Sequence, residues 1–392
     1  MRKQNKIVFF SYHSWEAKRQ GGFHLFAESA LKNNFNVIFF TYPSPFWRLF
    51  IKYDLWGFKL IKAINKGLNY NIGQNTLINL SILSFNLPIF TRYQHFFPSA
   101  LVLFFDRISL PNFKNYARKH FSGVEYFVFE STISVILFNK IKELFPDSKI
   151  IYRPSDPLIC FQYGKRLIKY EYELLKNSDI VFIVNNSGYI LYKNKYPNFD
   201  NEVNYKLLSN GVDYKKFNKK YPVPNKLKLP KTALYVGARP IDWQMILNAS
   251  RILKDINFVI VCPVKVPLRL SLSYKRQKNL IYINGINRSL VPNWITNANL
   301  IIVPNPKNWY KSRPWGITAK YYQAIAANKP IVSYHDTNEL NNLNIAVTYD
   351  LNSFVDGVLS AINLSQVDYK FDLTKKDWNF IASSFLKSIK SL

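Results

Sequence analysis

The sequence predicts an α/β protein with two doubly wound, Rossmann-like domains that face each other across a cleft. Strand-like apolar runs alternate with helix-like segments through the first half of the chain, as in a parallel sheet covered by helices on both faces. Residues 217–231, rich in proline and lysine, then interrupt the alternation and have the composition of a linker. Beyond them the alternation restarts, and a chain of 392 residues is long enough for two cores.

The first domain is predicted to span residues 1–216 and the second residues 232–372, with a C-terminal helix in residues 373–392 that packs back on the first domain. In the first domain the predicted strands are Lys6 to Tyr12, Asn36 to Thr41, Tyr126 to Glu130, Lys149 to Arg153 and Ile180 to Asn185. In the second they are Ala233 to Gly237, Phe258 to Cys262, Leu280 to Asn284, Leu300 to Pro304 and Pro330 to Tyr334. Ligands of such sheets bind beyond the carboxyl ends of the strands, so we expect the site in the cleft.

Charge restricts the partners of the chain. It has 53 Lys and Arg against 24 Asp and Glu, a net charge of +29 spread over both halves. Such a field attracts anionic lipid head groups, nucleotide phosphates or nucleic acid. No nucleic-acid fold signature, dinucleotide fingerprint or Walker A motif occurs, so we expect no nucleic-acid partner.

Cysteine usage and hydropathy bear on location. Cys160 and Cys262 offer neither a disulfide framework nor a metal spacing, which fits a reducing cytoplasm. The basic, then apolar N-terminus is too short for a signal peptide, and no apolar stretch reaches the length of a membrane span.

The most informative segment is Trp315 to Ser333, in which a helix follows the predicted strand Leu300 to Pro304. The positive end of that helix points at the crevice above the strands, where amide groups and a first-turn lysine, Lys320, suit a diphosphate. The alternative is an ordinary amphipathic helix whose lysine stem packs on apolar neighbours.

Residues Thr318 to Pro330, TAKYYQAIAANKP, resemble the donor-domain motif S-x-K-x-x-E-Y-x-A-x-G-K-P of GT-B glycosyltransferases, with Gln323 and Asn328 in place of Glu and Gly. The resemblance extends to the membrane-associated β-glucuronosyltransferases of xanthan synthesis. It implies that Lys320 holds the donor diphosphate and that Gln323 holds the nucleoside. It also implies UDP-glucuronate as donor, an inverting mechanism and a lipid-linked oligosaccharide as acceptor.

Other residues are predicted at the same donor site. Ser209 to Asp213, SNGVD, and Ala233 to Arg239, ALYVGAR, resemble the end of a GT-B acceptor domain and the first strand and glycine turn of the donor domain. Gly237 would let backbone approach a phosphate that Arg239 pairs with, although Arg239 is equally well interpreted as a solvated turn residue. Asp242 is a predicted N-cap. The predicted donor-binding set is Lys320, Gln323, Gly237, Arg239, Asn305, Arg313 and Ala319, and a glucuronate carboxylate would also have Lys307 and Lys311 as cations.

An inverting transfer needs a carboxylate that takes the proton of the acceptor hydroxyl. Asp156 follows a first-domain strand, as the catalytic aspartate does in the xanthan-type family, and is the predicted base; its alternative role is a helix N-cap. Glu130, at the end of another strand, is the second candidate. His13, Gly21, Gly22 and His24 form the predicted acceptor-side loop, although each histidine alone is more often structural.

Residues 46–66, FWRLFIKYDLWGFKLIKAINK, interleave aromatic and basic side chains as a helix in a membrane interface does. An ordinary docking helix of the first domain explains the pattern equally well. The predicted membrane-facing residues are Trp47, Arg48, Lys52, Trp56, Lys59 and Lys62.

The sequence therefore predicts a glycosyltransferase that moves a sugar from a UDP-sugar to a lipid-linked or surface-polysaccharide glycan, without a cofactor or a required metal. We expect it in the cytoplasm, peripheral on the inner face of the cell membrane. The alternatives are a retaining GT-B hexosyltransferase and a non-catalytic basic protein that binds membrane or nucleic acid.

Overall fold

The computed structural model describes residues 5–16, 22–52, 54–87, 96–160, 162–307, 317–369 and 371–392. The chain divides into two compact units, residues 1–209 with 381–392, and residues 210–380. Residues 217–231 lie in the second unit, whose core includes Phe217 and Leu227.

The first unit contains a sheet with the strand order β3-β4-β2-β1-β6-β7-β8-β9, and β5 pairs with β4. Strands β1, β2, β4, β6, β7, β8 and β9 run parallel to one another, whereas β3 and β5 are antiparallel to β4. The bounds are β1 Lys6–Ser11, β2 Asn36–Pro45, β3 Leu68–Ile72, β4 Asn75–Ser84, β5 Ser109–Leu110, β6 Tyr126–Glu130, β7 Lys149–Arg153, β8 Ile180–Ile183 and β9 Tyr205–Leu207.

Strands β1, β6, β7 and β8 are nearly continuous apolar runs, as expected of a parallel sheet that helices cover on both faces. Strands β6 and β7 have the predicted bounds. The hairpin β3–β4, with Gly73 at a φ of 62° in its turn, lies in a region where we predicted no strand.

The helices of the first unit are α1 Gly22–Lys32, α2 Gly57–Asn65, α3 Ser99–Arg107, α4 Phe113–His120, α5 Phe138–Leu144, α6 Ile168–Asn177, α7 Asn186–Lys195 and α8 Phe199–Glu202. Aromatic rings dominate the core, in which Phe10 stacks on Phe129 with ring centroids 4.4 Å apart. The C-terminal helix, which begins at Trp378 and ends at Lys390, adds Phe385 to this core, where its ring lies 4.7 Å from that of Phe26.

The second unit contains a parallel sheet in the order β12-β11-β10-β13-β14-β15. Its strands are β10 Thr232–Val236, β11 Asn257–Val261, β12 Leu280–Ile283, β13 Leu300–Pro304, β14 Ile331–Tyr334 and β15 Ala346–Thr348. Its helices are α9 Tyr214–Phe217, α10 Trp243–Ile252, α11 Leu268–Arg276, α12 Val291–Asn297, α13 Ala319–Ala326 and α14 Leu351–Ala361, and the C-terminal helix is α15. The strand order is that of a doubly wound fold, so the fold class predicted for each unit is confirmed.

The predicted N-cap of α10 is confirmed, since the Asp242 carboxylate accepts a hydrogen bond of 2.9 Å from the Met245 amide. The prediction that residues 46–66 form one helix is wrong. A 3₁₀ helix spans Phe46–Leu49, and α2 begins only at Gly57, which has a φ of 51°.

Candidate functional site

The donor-side site lies where the strand order of the second unit reverses, between β10 and β13. Gly237 follows β10, and α13, the helix of the motif segment, begins at Ala319. The N-cap residue Thr318 makes no side-chain capping hydrogen bond, so its hydroxyl does not occupy the backbone N–H groups of the first turn. The switch point of a doubly wound sheet is the usual position for a bound nucleotide.

Lys320 lies directly beneath the glycine turn. Its Nζ donates a hydrogen bond of 2.9 Å to the hydroxyl of Tyr235 and lies 4.4 Å from the centroid of that ring. A Cβ at position 237 would lie 2.4 Å from the Lys320 Nζ, so only glycine leaves the lysine its position. Burial, and then the nearby Arg239, lower the pKa of Lys320 to about 7.

The described residues place no carboxylate within ion-pair distance of Lys320. An ammonium group with a lowered pKa and no carboxylate partner suits a bound diphosphate, which supplies the missing negative charge.

A buried carboxylate, Asp336, anchors the elements around this lysine. It accepts hydrogen bonds from the Asn305 amide, at 2.7 Å, and from the Tyr321 hydroxyl. The Tyr321 hydroxyl also lies 2.6 Å from the Ser333 hydroxyl. Asn305, predicted to bind the donor, thus has its side-chain amide in a buried network that joins the ends of β13 and β14 to α13.

The other predicted donor-site residues are placed as follows. Ala319 opens α13, Gln323 is half-buried one turn later, and Arg239 is half-buried beyond the glycine turn. Arg313 and Lys311 lie outside the described residues. The structure thus brings Gly237, Arg239 and Lys320 together.

The acceptor-side site lies at the corresponding switch point of the first unit, between β1 and β6. The Glu130 carboxylate, at the end of β6, accepts hydrogen bonds from the hydroxyls of Ser11, at 3.0 Å, and Ser155, at 3.5 Å. Burial raises the pKa of Glu130, against the opposing effects of Ser11, His13 and Arg153. A carboxylate with a raised pKa at a strand end is a candidate proton acceptor.

Asp156 lies in the loop after β7 and is half-buried, and its backbone amide donates to the Ser131 hydroxyl at 3.4 Å. Arg153, at the end of β7, is fully buried, with its guanidinium 4.8 Å from the Phe26 ring centroid. Burial lowers the pKa of Arg153 to about 10, and the charges of Glu130 and Asp156 oppose that shift. The charges of both candidate carboxylates, Glu130 and Asp156, therefore act on the same buried arginine.

The two histidines of the predicted acceptor-side loop differ. The His13 Nδ1 lies 3.2 Å from a carboxylate oxygen of Asp54, and the ring is partly exposed near Glu130. His24 is buried on α1, with its Nε2 2.9 Å from the backbone oxygen of Ser14. His24 therefore lies on α1 with its ring in the core, in the structural role that is the commoner one for a lone histidine, and not in the predicted acceptor-side loop. Gly22 is the first residue of α1, and Gly21 lies outside the described residues.

Exposed aromatic and basic side chains cluster in residues 50–62. Phe58 is 91% exposed and Phe50 79% exposed, although both are large apolar side chains. We call this the apolar–basic surface, defined by Phe50, Ile51, Lys52, Trp56, Phe58, Lys59, Ile61 and Lys62. Patches of this kind mark contact sites rather than ordinary solvent-facing surface.

Two residues predicted to face a membrane do not belong to the apolar–basic surface. Arg48 is 1% exposed, with its guanidinium 5.2 Å from the Tyr12 ring centroid, so the prediction that it faces outward is wrong. Trp47 is half-buried, and its ring N–H donates to the backbone oxygen of Asn86 at 3.1 Å.

Within the described ranges no group of three or more His, Cys, Asp or Glu side chains could hold a metal ion. Nor does that part of the chain contain a helix with the length and apolar character needed to cross a membrane.

Sequence reasoning missed several residues of these sites, namely Tyr235, Asp336, Arg153 and Asp54. Tyr235 lies two residues before the predicted glycine turn, and Arg153 ends a predicted strand, so strand-end position was an available signal for both. Asp336, two residues after a predicted strand, carried the same signal, whereas Asp54 had none, because its partner His13 is distant in sequence.

Comparisons with known proteins bear on both units. Residues 9–184 match the family model of the N-terminal domain of glucuronosyltransferase GumK. The matched segment is less than half of the chain. No curated protein matches the chain.

Solved structures similar to the whole chain include a sucrose-phosphate synthase from Thermosynechococcus elongatus, at 14% identity over 99% of both chains and a TM-score of 0.63. A structure described as trehalose-6-phosphate from E. coli bound with UDP-2-fluoro glucose has 13% identity over 99% of both chains and a TM-score of 0.66. A UDP-forming trehalose-phosphate synthase from Burkholderia xenovorans, in complex with glucose-6-phosphate, has 11% identity over 98% of this chain and 100% of that one, with a TM-score of 0.65. Such identities show a common fold, and the family match adds the glycosyltransferase domain.

The chain has the GT-B fold, and residues 9–184 match a glycosyltransferase domain. Its GumK-like segment contains both candidate carboxylates, Glu130 and Asp156, and most of the first-unit sheet. Its second unit supplies the glycine turn and Lys320. The family match favours an enzyme over the alternative of a non-catalytic basic binding protein.

Proposed function

We propose that this GT-B glycosyltransferase transfers glucuronate from UDP-glucuronate to a lipid-linked glycan, with inversion at the sugar carbon. The observation that carries the proposal is the match of residues 9–184 to the N-terminal domain of a glucuronosyltransferase. The residues in the donor-side and acceptor-side sites fit the two halves of that reaction.

In the donor half, Lys320 and the backbone at Gly237 hold the diphosphate, and Arg239 adds a second cation. The leaving UDP gains negative charge as the sugar bond breaks, and a fixed ammonium beside it stabilises that charge in the transition state. No step of this scheme requires a metal, because Lys320, Arg239 and the first turn of α13 can stabilise the negative charge of the leaving diphosphate.

In the acceptor half, Asp156 takes the proton of the acceptor hydroxyl as its oxygen attacks the sugar carbon. Glu130 holds Ser155, the residue before Asp156, by its hydroxyl at 3.5 Å. Asp156 is our proposed base and Glu130 the group that fixes its loop, with Glu130 as base in the alternative assignment.

A lipid-linked acceptor would lie at a membrane surface, and the apolar–basic surface supports docking on anionic lipid. Its exposed rings would enter the interface, and each of its lysines near an anionic leaflet would contribute about 1 kcal/mol. We propose that the protein is cytoplasmic and binds the inner face of the cell membrane through this surface.

Transfer and hydrolysis with a panel of UDP-sugars test the enzymatic proposal. We expect the wild type to turn over UDP-glucuronate and Asp156→Asn to lower the rate at least a hundredfold. Asp147→Asn, which changes an exposed aspartate of the same unit, should retain the wild-type rate. Glu130→Gln distinguishes the two assignments. A loss as complete as that of Asp156→Asn, together with a changed pH profile, would identify Glu130 as the base.

The configuration of the product tests the stereochemistry. An inverted linkage by NMR supports the proposal, and a retained one supports a retaining hexosyltransferase, since a similar trehalose-6-phosphate synthase is described as transferring with retention. Failure of every UDP-sugar to turn over would refute the donor assignment.

Cosedimentation with vesicles tests the membrane proposal. We expect binding to vesicles of phosphatidylcholine with phosphatidylglycerol, and much less to phosphatidylcholine alone. Lys62→Glu should weaken binding at low salt, whereas Lys142→Glu, which changes an exposed lysine on α5, should not. Equal binding to both kinds of vesicle would contradict the electrostatic part of the proposal.

A further inference from the structure

Tyr235 connects the two elements that face the proposed diphosphate. It is the fourth residue of β10 and is 1% exposed, so its ring belongs to the core of the second unit. Its hydroxyl, however, lies at the carboxyl end of the strand beneath the glycine turn.

The hydroxyl of Tyr235 takes part in two hydrogen bonds at once. It accepts from the Lys320 Nζ at 2.9 Å and donates to the backbone oxygen of Arg239 at 3.3 Å. It thereby joins α13 to the turn after β10.

The packing around this hydroxyl leaves the lysine little freedom. A Cβ at Gly237 would lie 2.7 Å from the Tyr235 hydroxyl and 2.6 Å from the Lys320 Cε. The ring face also attracts the ammonium group, whose Nζ lies 4.4 Å from the ring centroid. A flexible lysine stem therefore ends at one defined point.

We propose that Tyr235 is a positioning residue that holds the Lys320 ammonium and the Gly237–Arg239 turn in the geometry that binds the donor diphosphate. The inference rests on the proposed function of Lys320 and extends it to a residue that touches no substrate. Without the hydroxyl, binding must first order the lysine and the turn, which weakens the affinity for the donor.

Tyr274 is a suitable control because it shares the burial but not the lysine. It is 5% exposed in the same unit, and its hydroxyl donates to the backbone oxygen of Trp243 at 3.2 Å. Removing that hydroxyl perturbs the core to a similar degree and leaves the donor-side site intact.

A double-mutant cycle tests the inference through calorimetric binding of UDP-glucuronate at pH 6.5. We expect Tyr235→Phe to raise the dissociation constant about tenfold, since hydrogen bonds to charged groups are the stronger ones. The same change in the Lys320→Met background should alter the constant less than about twofold, because the group that it positions is gone. Tyr274→Phe should leave the constant unchanged in both backgrounds.

Each contrary result has a distinct meaning. If Tyr235→Phe weakens binding equally in both backgrounds, or in neither, the positioning role is refuted while the donor site stands. If Lys320→Met itself leaves the affinity unchanged, the proposed function of Lys320 is refuted, and the role of Tyr235 with it. The midpoint of thermal unfolding, measured for every variant, separates these cases from a loss of folded protein.

Discussion

The charge of Lys320 should make donor binding depend on pH. Burial and Arg239 hold the pKa of this lysine at about 7, against the effects of Cys262 and Asp336, which raise it. The Tyr235 hydroxyl, which is hydrogen-bonded to Lys320, can also titrate, but burial raises its pKa well above the neutral range. Near pH 7 the lysine is therefore the group of this site that changes its charge.

The magnitude follows from the fraction of lysine that is charged. With a pKa of about 7, about nine tenths of Lys320 is protonated at pH 6 and about one tenth at pH 8. A diphosphate binds the charged form of Lys320. The affinity for the donor is therefore highest below pH 7 and decreases above it, as the lysine loses its proton. We expect the dissociation constant to rise about tenfold between pH 6 and pH 8.

Isothermal titration with UDP-glucuronate at constant ionic strength measures this dependence. Both phosphates of a UDP-sugar are esterified, so the charge of the ligand is constant over this range. Binding at pH 8 should also take up protons, seen as an enthalpy that varies with the ionisation enthalpy of the buffer.

Two variants complete the experiment. Lys320→Met should bind the donor weakly and without pH dependence. Lys329→Met changes a half-buried lysine just beyond α13 and should retain the tenfold rise in the dissociation constant between pH 6 and pH 8. A constant affinity in the wild type, or an equal fall in Lys320→Met, would refute the reasoning.

Three further changes have expected outcomes. Gly237→Ala should raise the Michaelis constant for the donor at least tenfold, because the new methyl displaces the end of Lys320 and crowds the buried Tyr235 hydroxyl. Glu171→Leu should lower the free energy of unfolding by about 3 kcal/mol in urea titrations, since the buried carboxylate accepts hydrogen bonds from the Tyr152 hydroxyl at 2.7 Å and the Leu158 amide at 3.0 Å. Phe58→Ser should reduce sedimentation with anionic vesicles severalfold and change the unfolding free energy by less than about 0.5 kcal/mol, because the ring is 91% exposed.

The contrary results would be specific. Unchanged donor kinetics in Gly237→Ala would show that donor binding does not require the lysine at its position beneath the turn. A loss for Glu171→Leu no larger than for Glu173→Gln, a change on the same helix, would contradict the buried network. A Phe58→Ser protein that binds vesicles like the wild type would remove this ring from the docking surface.

Much of the sheet framework could be predicted because its strands are continuous apolar runs. Tyr126–Glu130, Lys149–Arg153 and Leu300–Pro304 have the predicted bounds, since a strand covered on both faces has no polar alternation to confuse its limits. The residues after those strands were then natural candidates for the site.

Contacts between distant residues could not be predicted in the same way. Arg48 counted as a surface cation in the sequence, and only its packing on the Tyr12 ring shows that it is buried. His24 looked like its neighbour His13 until the fold placed it against Ser14. Sequence periodicity indicates which face of a helix or strand is apolar, but not which residues that face contacts in the folded protein.

The C-terminal helix has a consequence for anyone who wants to study the two units separately. Its first residue, Trp378, donates its backbone N–H to Val212 of the second unit at 3.1 Å, whereas Phe385 packs among the rings of Phe9, Phe26 and Phe182 in the first. A protein cut after Ser209 would therefore expose aromatic core surface and tend to aggregate. Expressing the first unit alone requires residues 381–392 to be restored, for example by fusing them through a flexible linker to the new end, because this segment completes the first unit although it follows the second in the sequence.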